Sequence, residues 1–227
     1  MKVELLNFTP NCEELVAAAA RLCYSADDIE DILKKMEGEK GRKLIEKLLS
    51  LGHQSPFEHI SFSFGISGVS RALTHQLVRH RIASYSQKSQ RYVAEKNFEF
   101  ITPPSIKQNQ EANDIYEKLM EQIGEAYERI VELGVSKEDA RYTLPNSCET
   151  KIIVTMNARS LFNFFHHRAC VRAQWEIRTM ANEMLKKVKE VAPSVFKYAG
   201  ASCDTLGFCP EGTMCCGKAP TLEAIKG

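Results

Sequence analysis

Apolar residues recur at two spacings along this chain, and each change of spacing marks a new element. Val3, Leu5 and Phe8 alternate loosely through residues 1–9, which predicts a first strand ended by Pro10 and Asn11. The Ala- and Leu-rich run 13–24 predicts a helix with Asn11 at its cap. Two amphipathic helices follow over 27–36 and 41–51. Leu44, Ile45, Leu48 and Leu49 form one stripe of the second, and Gly52 stops it. GHQSPFEH, residues 52–59, predicts a turn or a short helical start, because Pro56 sets the backbone and removes a donor. ISFSFGI, residues 60–66, alternates strictly and predicts a strand with one buried face, loosened at its end by Gly65 and Gly68.

The second half reads in the same way. A helix capped by Ser70 is expected to run to Arg81 and to open into a polar loop. A short strand over 98–102 is broken by Pro103 and Pro104. A long charged helix over 111–133 is expected to turn Ile115, Leu119, Ile123, Tyr127 and Ile130 inward, with Gly134 as its stop. A short helix over 137–142 and a strand over 149–156 precede the longest helical candidate, 160–190. A last short helix beyond Pro193 ends at Gly200. Few strands among many helices, not regularly interleaved, predict an α+β fold: a small, mainly antiparallel sheet packed against several helices. No GxGxxG or GxxxxGK[ST] run is present, so neither dinucleotide-fold nor P-loop architecture is indicated.

Composition narrows the function. With 227 residues and 44% hydrophobic content the chain buries one substantial core. A net charge of +1 argues against a general nucleic-acid or membrane-surface binder, whose surface would be basic throughout. No apolar run approaches the roughly 20 residues that span a bilayer. The first residues carry no signal-peptide pattern, so a cytoplasmic location is expected.

Against that near-neutral background one segment stands out. RHRIASYSQKSQRY, residues 79–92, holds three Arg, one Lys, one His, three Ser and two Gln, and no acid. Arg79 and Arg81 alone would suit a helix C-terminus, where the dipole favours cations. The donors that follow, from Ser84 to Arg91, exceed that need. Guanidinium forks with hydroxyls and amides match a phosphate ester and a planar ring. On the expected helix, Gln76, Arg79 and His80 share one face. A second constellation is NARSLFNFFHHR, residues 157–168. Arg159, Asn163 and His167 form a polar stripe beside Leu161, Phe164, Phe165 and Arg168. By itself this also fits an interhelical hydrogen-bond network. In GHQSPFEH, the set His53, Glu58 and His59 lacks HExxH spacing, so turn and core histidines are the simpler reading than a metal site.

Together these segments resemble the flavin-dependent thymidylate synthases. The family signature is Arg-His-Arg, seven residues, then Ser, and it is complete here as Arg79-His80-Arg81, IASYSQK and Ser89. GHQSPFEH, NARSLFNF followed by Arg168, and AQWEIR at 173–178 occur in the family's order, and the resemblance covers about residues 1 to 200. It implies reductive methylation of dUMP to dTMP, with methylenetetrahydrofolate as carbon donor, FAD as cofactor and NADPH as reductant. It implies a homotetramer whose sites are assembled at subunit interfaces. Carried over by position, Gln76, Arg79, Gln87, Ser89, Gln90, Arg91 and Arg141 match nucleotide-holding residues, and Arg91 and Arg141 are natural phosphate partners. Ser55, Arg79, His80, Arg81, Gln87, Asn157, Arg159 and Asn163 match flavin-contacting residues. His53 matches a histidine near flavin and folate, and Arg168 matches the arginine that polarises the uracil ring while also binding the nucleotide. Gln87 stands where some members carry an acid, so it bridges by hydrogen bonds and does not act as a base. Ser89 has no neighbouring base in the sequence and is read as orienting the nucleotide.

Eight cysteines remain. Cys12, Cys23, Cys148 and Cys170 are dispersed and read as small buried hydrophobes, none in a basic loop that would activate a thiol. Cys203, Cys209, Cys215 and Cys216 crowd into a C-terminal tail, 201–227, appended to a catalytic region 1–200. Their spacing is not CxxC. A zinc site, a disordered reduced tail and a redox-sensitive tail all stay open. Two other functions compete with the synthase: a nucleotide- or RNA-binding module without chemistry, and a metal-dependent nucleotide hydrolase.

Overall fold

A computed structural model describes residues 1–95 and 98–226. The elements are β1 (Lys2–Phe8), α1 (Cys12–Leu22), α2 (Ile29–Lys35), α3 (Glu39–Leu51), β2 (Ser61–Ser70), α4 (Arg71–Leu77) and β3 (Ser84–Gln87). After them come α5 (Pro104–Lys107), α6 (Gln110–Glu132), α7 (Lys137–Ala140), β4 (Glu149–Asn157), α8 (Ala158–Arg168), α9 (Trp175–Val191), α10 (Ser202–Leu206) and α11 (Leu222–Lys226). The four strands form one antiparallel sheet in the order β1-β2-β4-β3, which is the α+β class expected. The chain divides into two compact units. The first holds Met1–Lys2, Ile66–Arg79 and Tyr85–Ile153; the second holds Val3–Gly65, His80–Ser84 and the chain from Val154 on. Among the described residues no helix is long and apolar enough to cross a membrane.

In the second unit α1 packs through small side chains. Val16, Ala17, Ala18 and Ala20 are buried. A Cβ at Gly41 would lie 2.1 Å from the Met36 carbonyl oxygen and 3.3 Å from the Ala17 Cβ. Glycine is therefore what lets α3 start so close to α2 and lie on α1. Asn11 does stand at the α1 cap, but in the left-handed region (φ 48) and without a side-chain cap bond. The core of this unit is aromatic. The Phe196 ring meets Phe62 and Phe162 at 5.3 Å and Phe165 at 6.3 Å, and Phe57 meets Phe162 at 5.4 Å.

In the first unit Phe98, Met120 and Cys148 form a buried cluster flanked by Phe100, Tyr116, Ile123 and Leu144. This corrects the inward face expected of α6, since Ile115 and Leu119 are exposed. Steps of four residues drift by about 40° each around a helix of 3.6 residues per turn. The stripe Tyr116, Met120, Ile123 and Tyr127 alternates steps of four and three and stays on one side.

Other boundaries differ for local reasons. β2 continues through Gly65 and Gly68 to Ser70. Gly68 has φ +67, and a Cβ there would come 3.0 Å from the Met1 nitrogen, so the glycine bends the strand without ending it. Ser70 caps α4 as expected, its hydroxyl accepting from the Leu73 N–H at 3.0 Å. That helix stops at Leu77, however, not at Arg81. The Tyr85 hydroxyl donates to the Leu77 carbonyl at 2.9 Å, satisfying a terminal acceptor, and the expected loop contains strand β3.

The expected strand 98–102 is reduced to one bridge, Phe100 to Cys148, although the Phe98 and Phe100 rings share one face and one cluster as alternation requires. The expected helix 160–190 is two helices. The Gln174 side chain accepts from the Glu176 and Ile177 N–H groups and starts α9 afresh. Residues 193–198, where a last short helix was expected, turn without forming one.

Candidate active site

The residues singled out from the sequence divide between the units. Gln76, Arg79, Gln87, Ser89, Gln90, Arg91 and Arg141 belong to the first; His53, Ser55, His80, Arg81, Asn157, Arg159, Asn163 and Arg168 belong to the second. The boundary cuts the Arg-His-Arg triplet after Arg79. Because α4 has already ended, Gln76, Arg79 and His80 do not share a helical face as expected.

In the first unit the polar residues gather around Glu138 and β3. Arg91 donates to the Glu138 carboxylate at 2.9 Å, and Arg141 donates through Nε to the Glu138 carbonyl at 3.0 Å. The two phosphate candidates thus meet at one residue that the sequence did not single out. The Arg91–Glu138 pair is exposed enough that its net attraction is small. A dianion arriving at these guanidiniums would compete with it readily.

The Gln87 amide donates to Thr74 Oγ1 at 3.0 Å and to Thr150 Oγ1 at 3.3 Å, which leaves its carbonyl oxygen for a ligand. The Ser89 hydroxyl accepts from the Arg91 N–H at 3.2 Å in a local turn. Gln90 is buried, and its amide donates to Cys148 Sγ at 3.4 Å. Arg71, also absent from the sequence reading, is half-buried and donates to the Lys88 carbonyl. Burial, and after it the charge of Arg141, lowers its pKa, and Glu95 opposes them.

In the second unit the central contact is between Arg168, the last residue of α8, and His80. Arg168 Nε donates to His80 Nε2 at 3.0 Å, and the Phe164 ring meets the imidazole edge-on at 5.0 Å. An imidazole nitrogen that accepts from a guanidinium is unprotonated. Burial, then the charges of Arg168 and His167, push the His80 pKa down to about 4. The histidine is a neutral wedge that orients the arginine.

Elsewhere on α8, Asn157 is spent as the N-cap, its Oδ1 accepting from the Ser160 N–H at 2.8 Å. Arg159 pairs with Glu58, and Asn163 is exposed on the same helix. Ser55 begins a short 3₁₀ turn, Ser55–His59, and Arg81 is exposed. His53 and His59 are exposed, not core, and His53 lines a surface hollow with Tyr24, Leu44 and Leu51. Among the described residues no group of three or more His, Cys, Asp or Glu is arranged to hold a metal ion.

Cys12 and Cys148 are buried as expected, and burial first raises both thiols to about 11, the opposite of nucleophile activation. Cys23 is exposed and Cys170 half-buried, against expectation.

Similarity to known proteins shows the family to which this chain belongs. The profile of the family "Thymidylate synthase complementing protein" matches residues 4–194. The chain is 53% identical to the flavin-dependent thymidylate synthase of Clostridium tetani, over 99% of this chain and 96% of the relative. It is 52% identical to that of Geobacter sulfurreducens, over 99% and 97%, and 41% identical to that of Pyrococcus furiosus, over 93% and 90%. The chain belongs to the flavin-dependent thymidylate synthase family. It is a flavin-dependent enzyme of thymidylate synthesis.

The His80 environment makes a measurable prediction within this family fold. Unfolded chains take a proton at His80 near pH 6.5, whereas the folded protein refuses it until about pH 4. The unfolded state therefore binds more protons in that window, and stability falls as the pH drops through it. His166, lowered by burial and then by His167, acts in the same direction. Urea midpoints at pH 7 and pH 5 should differ less in His80→Asn than in the parent; an unchanged difference would contradict a neutral His80.

Proposed function

We propose that this chain converts dUMP to dTMP, with Gln76, Arg79, Gln87, Ser89, Gln90, Arg91, Arg141 and Arg168 holding the nucleotide and Ser55, Arg79, His80, Arg81, Gln87, Asn157, Arg159 and Asn163 contacting FAD. Methylenetetrahydrofolate donates the carbon and NADPH is the reductant. One observation carries the reading. Arg168, the residue suited to polarise uracil, is oriented by the central histidine of the Arg-His-Arg signature.

The side chains present fit the cofactor. FAD presents a pyrophosphate and a ring system edged with amides, and Arg81, Arg159, Ser55 and Asn163 offer cations, a hydroxyl and an amide with exposed side chains. Asn157 holds the first turn of the helix that carries two of them. When bound, FAD supplies the hydride transfer from NADPH to the pyrimidine.

The chain's own residues do the rest. Arg91 and Arg141 clamp the nucleotide phosphate in place of Glu138. Gln76, Arg79, Gln87 and Ser89 orient the base and sugar, and Gln90 braces this loop from inside through Cys148. Arg168, which keeps its proton at any working pH, stabilises negative charge that develops on the uracil ring. Ser89 orients and does not attack. His53 borders the place of flavin and folate.

We further propose a homotetramer with each site assembled from several subunits. The exposed Ile115 and Leu119 on α6 support such an interface. The catalytic region is 1–200, with the tail appended after the family match ends.

Two measurements test the reading. Flavin bands of the purified protein should bleach with NADPH under anaerobic conditions, and dUMP should alter the bleaching. Arg91→Ala and Arg141→Ala should each raise KM for dUMP by about tenfold or more, the equivalent of a lost charged hydrogen bond of roughly 1.5–3 kcal/mol, with flavin content unchanged. A colourless protein that also fails to take up FAD would favour a binding module instead.

A further inference from the structure

The C-terminal segment takes no part in the chemistry above, yet it is built with care. Its backbone is tied to the rest of the second unit. Arg172 donates to the Met214 carbonyl at 2.8 Å, and the His166 ring meets the Thr205 hydroxyl at 3.2 Å. Asp204 accepts from the Ala201 N–H at 3.1 Å and pairs with Lys218 at 2.6 Å. Such fixed contacts set aside the disordered tail that the sequence left open.

Within this segment two cysteines converge on one short stretch. The Cys209 N–H donates to the Pro220 carbonyl at 2.7 Å, and Cys209 bridges Thr221. Cys215 Sγ donates to the Ala219 carbonyl at 3.3 Å and accepts from the Gly217 N–H at 3.3 Å. Both cysteines are thereby anchored to residues 219–221, which brings their side chains next to one another. The connecting chain reverses through Gly212, whose φ of +53 favours glycine. Nearby, Cys170, Cys203, Cys209 and Cys216 line a small cavity beside His166. With no set of three ligands arranged for a metal among the described residues, the chemistry that two facing thiols offer is that of a dithiol.

We propose that Cys209 and Cys215 form a reversible disulfide by exchange with a low-molecular-weight disulfide. The two thiols are not equivalent. Cys215 is half-buried and reachable, whereas Cys209 is buried. Cys215, as its thiolate, attacks one sulfur of the small disulfide and expels the other as a thiolate, which takes up the proton Cys215 lost. Cys209 then gives up its proton and attacks the Cys215 sulfur, forming the internal bond and releasing the second small thiol. The protein loses two electrons and two protons, and the small disulfide gains both. The bond closes the turn that presents the Met214 carbonyl to Arg172, so the oxidised form holds the chain just beyond Arg168 in its observed contact.

The full-length protein, equilibrated in buffers of reduced and oxidised glutathione, tests this. Free thiols are blocked with N-ethylmaleimide, and the chain is cleaved after Glu211, which separates the two cysteines unless they are linked. The expected result is a Cys209–Cys215 linked peptide that lacks both maleimide adducts and disappears again on reduction. In Cys209→Ser, Cys215 should accumulate instead as an unresolved glutathione adduct. Maleimide on both cysteines at every ratio would overturn the proposal, as would a link joining Cys203 to Cys216 in their place.

Discussion

Arg168→Ala is expected to lower kcat for thymidylate formation by about 10²–10³-fold, the cost of removing a preorganised charge from a developing anion. A bland role exists for this residue, because a cation on the last turn of α8 is favoured by the helix dipole alone. That role would contribute only about 0.3–1 kcal/mol to stability and nothing specific to turnover. The observed geometry asks for more, since the guanidinium is held by a neutral imidazole that is itself wedged against Phe164. FAD uptake by the variant should persist, because Arg81, Arg159 and Asn163 remain. Arg168→Lys should also fail to restore turnover, as a single ammonium does not reproduce the guanidinium fork. The comparison to make is single-turnover formation of dTMP beside flavin content. Parent-like dTMP formation in Arg168→Ala would remove the residue from the reaction.

The second large effect concerns the core behind that site. Phe196→Ala should destabilise the protein by about 3–5 kcal/mol, the usual cost of emptying a large aromatic position. Phe196 is fully buried and touches the rings of Phe62, Phe162 and Phe165, so it joins β2 to α8 from a segment with no regular structure of its own. No backbone ladder replaces those contacts when the ring is lost. Phe196→Leu should recover much of the difference, because it refills part of the volume. Urea unfolding of the three proteins measures it, and a change below 1 kcal/mol for the alanine variant would show that the ring is not the joint described here.

Periodicity located most of the elements because burial of one face imposes it, as in α3, where Ile45 and Leu48 are buried on the expected stripe. The errors share a cause. The α8–α9 break has no Gly or Pro, and its start depends on a Gln174 side chain turned onto two N–H groups. The end of α4 depends on a tyrosine from the following strand. Each is a contact made by a residue whose type does not announce it. The site shows the same division. The Arg-His-Arg run, its serine and the NARSLFNF segment were legible as donors, since unopposed cations and amides in a near-neutral chain are conspicuous. Glu138 was not, because an acid on a short surface helix looks like any other until Arg91 and Arg141 are seen to meet on it.

By itself, then, the order of residues determined the α+β class, the family and the set of donors, because hydrophobic period and residue chemistry are local properties of a chain. Only the tertiary structure decided that His80 is neutral and aims Arg168, that Gln90 is spent inside its unit, and that Cys209 faces Cys215. Those outcomes depend on burial and on partners distant in sequence. A desolvated imidazole, an enclosed amide and two converging thiols acquire their chemistry from neighbours that the chain supplies only once it has folded.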